Sequence, residues 1–171
     1  MTKTPVDPSV FLFDTNAILE AVRTDTWNAI TGGTSVETVA ECVDECWRGD
    51  RLSTGRITVS ESHLQRISAV YAVSEVEVAA VLLRQDGSAL DAGERDLFAH
   101  ALAREDAAAW RLCSPDLASI RFAVACEIGD QLASLEEVQE AVGARPSTPL
   151  RHHFTKEWLV RERTKARLGV L

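Results

Sequence analysis

Ser9-Val10-Phe11-Leu12-Phe13-Asp14-Thr15-Asn16-Ala17-Ile18-Leu19-Glu20 passes from an unbroken apolar run into a carboxylate and then into helix formers. Val10 to Phe13 are all β-formers. Four residues are too few for a helix, so they read as a strand buried on both faces. A strand that stops on Asp14 and turns into a helix puts a carboxylate at the strand's C-terminal end. In open α/β sheets that edge is where ligands bind. The same placement also suits a helix N-cap, whose side-chain oxygen accepts from a free amide of the first turn.

Beyond this stretch, short apolar segments alternate with helical patterns. A helix is expected from Thr15 to about Ile30, closed by Gly32-Gly33. Thr34 to Val36 is β-like. A long helix follows from about Glu37 to Trp47, with Glu37, Glu41 and Glu45 on one face. Ile57-Thr58-Val59 reads as a short strand and His63 to Tyr71 as a helix. Ser74-Glu75-Val76-Glu77 and Ser134-Leu135-Glu136-Glu137 are capping boxes, and Leu90-Asp91-Ala92-Gly93-Glu94 opens a helix to about Arg104. Ala107 to Cys113 reads as a second buried strand. It stops at Ser114-Pro115-Asp116, ahead of a helix through Cys126. A last strand is expected near Gln131 to Ala133, and Arg145 to Pro149 form a linker. A terminal amphipathic helix is expected from Thr155 to Arg167. Strands and helices in alternation imply an α/β fold with a mostly parallel sheet and helices on both faces.

The 171 residues suit one domain, and 46% apolar content rules out a disordered chain. No apolar run reaches the ~20 residues of a membrane span. The polar Met1 to Pro8 has no secretory core, so a cytoplasmic location and no membrane partner are expected. Four cysteines are too few for a disulfide scaffold. Cys42 and Cys46 lack a second Cys or His pair and read as buried thiols. The net charge is −8, yet Arg151 to Leu171 carries six cations against two acids. This basic tail, docked through Phe154, Trp158, Leu159 and Leu168, has charges available to an acidic neighbour, a second copy of the chain or RNA phosphate. An alternative is that it only covers an apolar edge.

Two buried strands end on acids, Asp14 and Asp116, and two helices carry acids near their starts, Glu41 and Glu94. If both strands are parallel and close in the sheet, Asp14 and Asp116 emerge on one edge. Four converging carboxylates repel one another unless a hard cation neutralises them, and oxygen ligands suit Mg²⁺ or Mn²⁺. The chemistry that follows is metal-assisted hydrolysis, most often of phosphodiesters. Each acid also has a structural role open to it. Asp91 and Glu94 have capping-box spacing, Asp116 complements a helix dipole, and Glu41 is one of several acids on its helix.

Taken in order, Phe11-Leu12-Phe13-Asp14-Thr15-Asn16, Val36-Glu37-Thr38-Val39-Ala40-Glu41-Cys42, Leu90-Asp91-Ala92-Gly93-Glu94 and Leu112-Cys113-Ser114-Pro115-Asp116 resemble the motifs of the PIN-domain nucleases. The resemblance implies a three-layer α/β/α fold over residues 8–143, with 144–171 as a C-terminal extension bearing the basic helix. It implies Asp14, Glu41, Glu94 and Asp116 as catalytic, metal-binding acids, and Asn16 and Ser114 as polar supports. It further implies Mg²⁺- or Mn²⁺-dependent cleavage of single-stranded RNA. Many relatives are toxins paired with an antitoxin protein, and others process RNA. Ser114-Pro115-Asp116 stands where many relatives have Thr-Asp-Asp or Thr-Asn-Asp. A non-catalytic PIN-like interaction domain is the rival reading. A haloacid-dehalogenase phosphatase needs an acid where Asn16 stands, and a Rossmann cofactor site needs a Gly-rich first turn. His152-His153 read as surface residues.

Overall fold

The computed structural model describes residues 10–48, 57–105 and 109–171. Its centre is a four-stranded parallel sheet. The strands are β1 (Val10–Phe13), β2 (Ser35–Val39), β3 (Ala69–Tyr71) and β4 (Trp110–Cys113), in the order β3-β2-β1-β4. Val10, Phe11, Leu12 and Phe13 pair with Trp110, Arg111, Leu112 and Cys113 in sequence. Side chains alternate across a strand, and β1 supplies both faces of the sheet. Val10 and Leu12 join one core cluster, with Leu112, Leu97, Phe98, Ile120 and Phe122. Phe11 and Phe13 join the other, with Ala17, Ile18, Trp27, Ile30 and Val138.

The first cluster is covered by α5 (Glu75–Leu82), α6 (Ala92–Ala103), α7 (Leu117–Ala125) and α9 (Lys156–Arg167). The second is covered by α1 (Thr15–Arg23), α2 (Trp27–Gly33) and α8 (Leu135–Ala141). Helix α3 (Ala40–Arg48) touches both through Cys42 and Cys46, and a short α4 spans Glu61–Leu64. The architecture is three-layer α/β/α. No helix among the described residues is long and apolar enough to cross a membrane.

Several elements differ from their sequence patterns for identifiable reasons. The first helix is two, broken at Thr24-Asp25-Thr26. There the Thr24 and Thr26 hydroxyls meet at 3.0 Å, both reach the Ala21 carbonyl, and Asp25 adopts φ +59°. Hydroxyls that offer the backbone local partners compete with helix. The α3 helix begins at Ala40, not near Glu37, because Glu37 to Val39 are strand, paired with Ala69 to Tyr71 of β3. Within β2 the Thr38 hydroxyl donates to the Phe13 carbonyl at 2.6 Å, and Glu37 pairs with Arg104 at 2.7 Å. Glu37 therefore does not share a helix face with Glu41 and Glu45.

The helix expected over His63 to Tyr71 ends at Leu64, and Ala69 to Tyr71 is the edge strand β3, where Tyr71 stacks on His100. Ile57 to Val59 is not strand, although Val59 is buried. The expected last strand reduces to one bridge between Leu112 and Leu132. Ala107 and Ala108 lie outside the described residues. Cys42, Cys46 and Cys113 are buried thiols and Cys126 is half-buried.

The C-terminal segment packs on the body. Phe154 is buried in the second cluster and Leu159 in the first, with Trp158 half-buried against it. Leu168 is exposed rather than docked. The buried Glu20 carboxylate of α1 takes the Arg23 guanidinium at 2.6 and 2.8 Å and the Arg151 amide at 2.9 Å, which ties the tail to the first helix. Phe154→Ala is expected to cost about 3–5 kcal/mol of stability, as for other large-to-small core changes. Urea denaturation of the full chain measures it, and a cost below about 1 kcal/mol would make the tail an appendage.

Candidate functional site

β1 and β4 are neighbours, yet the chain reaches β4 only after building β2 and β3 on the other side of β1. The strand order reverses between them, and their C-terminal ends form the topological switch point where α/β sheets place ligands. The Asp14 amide donates to the Cys113 carbonyl at 3.2 Å and holds the two exits together. Asp14 and Ser114 emerge side by side there. Asp14 caps α1, its Oδ1 accepting from the Ala17 amide at 2.7 Å, and its Oδ2 accepts from the Ser114 hydroxyl at 2.7 Å.

Helix α6 brings Glu94 to the same point through a capping box. Asp91 Oδ1 accepts from the Glu94 amide at 2.8 Å, and Glu94 Oε2 accepts from the Asp91 amide at 3.2 Å. Glu94 Oε1 meets the Ser119 hydroxyl at 2.9 Å, in the first turns of α7, and Ser119 meets Ser114 at 2.8 Å. From α3, Glu45 accepts from the Thr15 hydroxyl and, at 3.1 Å, from the Gly93 amide. Asp14, Thr15, Asn16, Glu45, Asp91 and Glu94 line a cavity of about 120 Å³. A side chain at Gly93 would fill the space Glu45 uses, since a Cβ there would stand 2.5 Å from Glu45 Oε2.

Asp14 and Glu94 are thus linked by two buried hydroxyls, through contacts of 2.7, 2.8 and 2.9 Å. Three hydrogen bonds need three protons, and two serines supply two. The third is supplied when one carboxyl group of the pair is protonated. Turning both hydroxyls moves it from one acid to the other. Electrostatics favour protonation of both groups. Burial pushes Asp14 up to about 7, helped by the charges of Asp91 and Asp116 and opposed by the bonds from Ala17 and Ser114. Burial likewise pushes Glu94 up to about 8, with Asp91, Asp116 and Asp14 adding to it and Ser119 opposing.

Of the residues singled out in the sequence, Asp14, Asn16 and Glu94 line the cavity and Ser114 orients Asp14. Asp116 is exposed at the start of α7, where it accepts from the Ala118 amide at 2.8 Å. Its charge reaches both Asp14 and Glu94. Glu41 does not line the cavity. It pairs with Arg48 at 2.9 Å, and Glu45, one turn further along α3, takes the inward place. Thr15, Glu45, Asp91 and Ser119 complete the site. Glu45 was foreshadowed by its four-residue spacing from Glu41 and Asp91 by its capping-box spacing, but nothing local to Ser119 marks it.

The donors are all oxygen, as Mg²⁺ or Mn²⁺ requires. A cation would offset both the burial of these carboxyl groups and the repulsion from Asp91 and Asp116, so Asp14 and Glu94 fit such an ion by charge and donor type. Among the described residues no group of three or more His, Cys, Asp or Glu side chains is arranged to hold a metal ion. In comparisons with known proteins, no family model, curated protein or solved structure matches the chain.

The folded form keeps Asp14 and Glu94 protonated at pH values where unfolded carboxylates, titrating near 3.8 and 4.5, have released their protons. This contribution to stability is fully present below those values and is lost as pH rises through about 7 and 8. Metal-free stability should therefore fall between about pH 5 and pH 8, by up to about 1.4 kcal/mol per pH unit for one proton. Asp14→Asn should reduce the slope, because it removes one of the two raised carboxyl groups and leaves Glu94, which is raised chiefly by its own burial. Denaturation in chelator across pH measures both slopes, and equal slopes would show that Asp14 does not titrate in this range. Gly93→Ala should displace Glu45 and weaken Mn²⁺ binding in calorimetry by about tenfold, with stability within about 1 kcal/mol because Ala favours helix.

Proposed function

We propose that the protein is a divalent-metal-dependent nuclease that hydrolyses phosphodiester bonds of single-stranded RNA. The observation that carries this reading is the Asp14–Glu94 pair. Two buried carboxyl groups at the sheet's switch point are joined through the hydroxyls of Ser114 and Ser119, with further acids at the rim. Keeping surplus negative charge buried costs stability, and a site that tolerates this cost is suited to receive a cation. The ordered resemblance of its motifs to the PIN-domain nucleases supports the choice of phosphodiester chemistry and RNA.

Asp14 and Glu94 would hold the ion, with Asp91, Glu45 and Asp116 as outer carboxylates. Mg²⁺ or Mn²⁺, when bound, supplies the positive charge that activates water and offsets the leaving oxyanion. Ser114 and Ser119 keep the inner carboxylates in fixed orientation. They also offer the displaced proton a path between Asp14 and Glu94. Asn16, exposed at the cavity mouth, is placed to donate its amide to an incoming phosphate or water.

Asp14→Asn is expected to lower Mg²⁺- or Mn²⁺-dependent cleavage of a labelled single-stranded RNA by at least about 100-fold, since Asn is nearly isosteric but lacks the charge. The cap on α1 survives, because Asn caps as well as Asp, and circular dichroism should be unchanged. Every carboxyl oxygen of Asp14 and Glu94 already has a hydrogen-bond partner. That favours a second reading, in which the network is structural and the domain only binds partners. Wild-type protein that neither cleaves RNA nor binds Mn²⁺ would establish the second reading. Equal cleavage by wild type and Asp14→Asn would overturn the mechanism.

A further inference from the structure

Helix α5 and the residue that caps it read Glu75-Val76-Glu77-Val78-Ala79-Ala80-Val81-Leu82-Leu83, and only Val81 is buried. A helix apolar on most sides belongs in an interior. Val76 and Leu83 are nevertheless 79% and 89% exposed, and Ala79 and Ala80 between them are exposed too. The spacing of these four is i, i+3, i+4, i+7, so they form one stripe. Of the eight large apolar residues exposed among those described, Val70, Val76, Leu82 and Leu83 fall within one short span of chain. Leu168 and Val170 belong to the C-terminal segment, whose Gly169 and Leu171 line a cavity with Gln85 and Asp86, just beyond α5.

Beside the stripe lies a groove of about 200 Å³ between α5 and α6, lined by Val76, Ala80 and Arg84 on one side and Ala99 and Leu102 on the other. Small-molecule pockets run from about 300 Å³ upward, so this groove is sized for a side chain rather than a cofactor. We infer that a second copy of this chain covers it, as a two-fold dimer in which Leu83 of each copy seats in the groove of the other. The charges favour this occupant and this orientation. Glu75 and Glu77 lie in the first turn of α5, and Arg84 follows its last. Glu77 is spent on the Ser74 cap, and Glu75 is exposed. Two α5 helices packed antiparallel bring Glu75 of each opposite Arg84 of the other and align their dipoles head to tail. A parallel pairing would set like charges together. Ala79 and Ala80 at the centre of the stripe let the two helices approach closely. None of these residues lines the carboxylate cavity, so the inference stands apart from the proposed function.

Sedimentation velocity on the full chain at about 100 µM tests it. The expected mass is twice the 18.7 kDa of one chain. Leu83→Glu should raise the dissociation constant at least about 100-fold by placing a charge in an apolar groove, with circular dichroism unchanged. Because that change touches the packing, a charge-reversal series provides the second measurement. Glu75→Arg and Arg84→Glu should each weaken the dimer about tenfold, and the double variant should restore it. A monomeric wild type, a Leu83→Glu variant that remains a dimer, or a double variant without rescue would each overturn the inference.

Discussion

The Asp14 amide donates to the Cys113 carbonyl one residue beyond the paired ends of β1 and β4. That bond continues a parallel ladder that begins at Val10 and Trp110, so both strands leave the sheet at the same level. Everything at the carboxyl edge follows from it. Asp14 starts α1, Ser114 stands beside it, and α7 begins within reach of both. A shift of one residue along either strand would turn the apolar residues of β1 to the wrong faces, and it would part Asp14 from Ser114. The core therefore enforces the register that the site needs.

The same edge concentrates negative charge where water is largely excluded. Asp14 and Glu94 are both buried, and each also serves a helix start, Asp14 as the cap of α1 and Glu94 as a partner in the capping box of α6. Structural and chemical roles are therefore not alternatives at these positions. The cap fixes one oxygen of each carboxylate by a backbone amide, and a serine fixes the other. This rigidity gives a cation, or a proton, a preorganised place.

The basic tail uses its charges largely within the chain. Arg161 and Lys165 contact the buried Glu162, Arg167 contacts Asp130, and Arg163 donates to the Gly129 carbonyl. The pairs on Glu162 lie within α9, while Arg163 and Arg167, with Arg151 on Glu20, fasten the C-terminal segment to the body. An amphipathic helix of twelve residues would be marginal alone in water, and here Phe154 and Leu159 anchor it at both cores.

What was legible along the chain was local. The buried strand Val10–Phe13, the caps at Ser74, Asp91 and Ser134, and the exits at Asp14 and Ser114 all depend on neighbours a few residues away. So did the fold class, because alternating strands and helices leave few ways to cover a parallel sheet. The breaks went unread where a distant partner overrode a local preference. Glu37 to Val39 and Ala69 to Tyr71 became strand because each lay beside the other, with β1 pairing Glu37 on its far side. The choice of Glu45 over Glu41 depends on how α3 is rotated against Thr15 and Gly93. The place of Ser119 depends on where α7 starts relative to α6. Periodicity along one helix shows which residues share a face, but the packing of a second helix is needed to show which of them points at the site. The link from Asp14 through Ser114 and Ser119 to Glu94 belongs to this second kind, since it is built from contacts among four residues spread from position 14 to position 119.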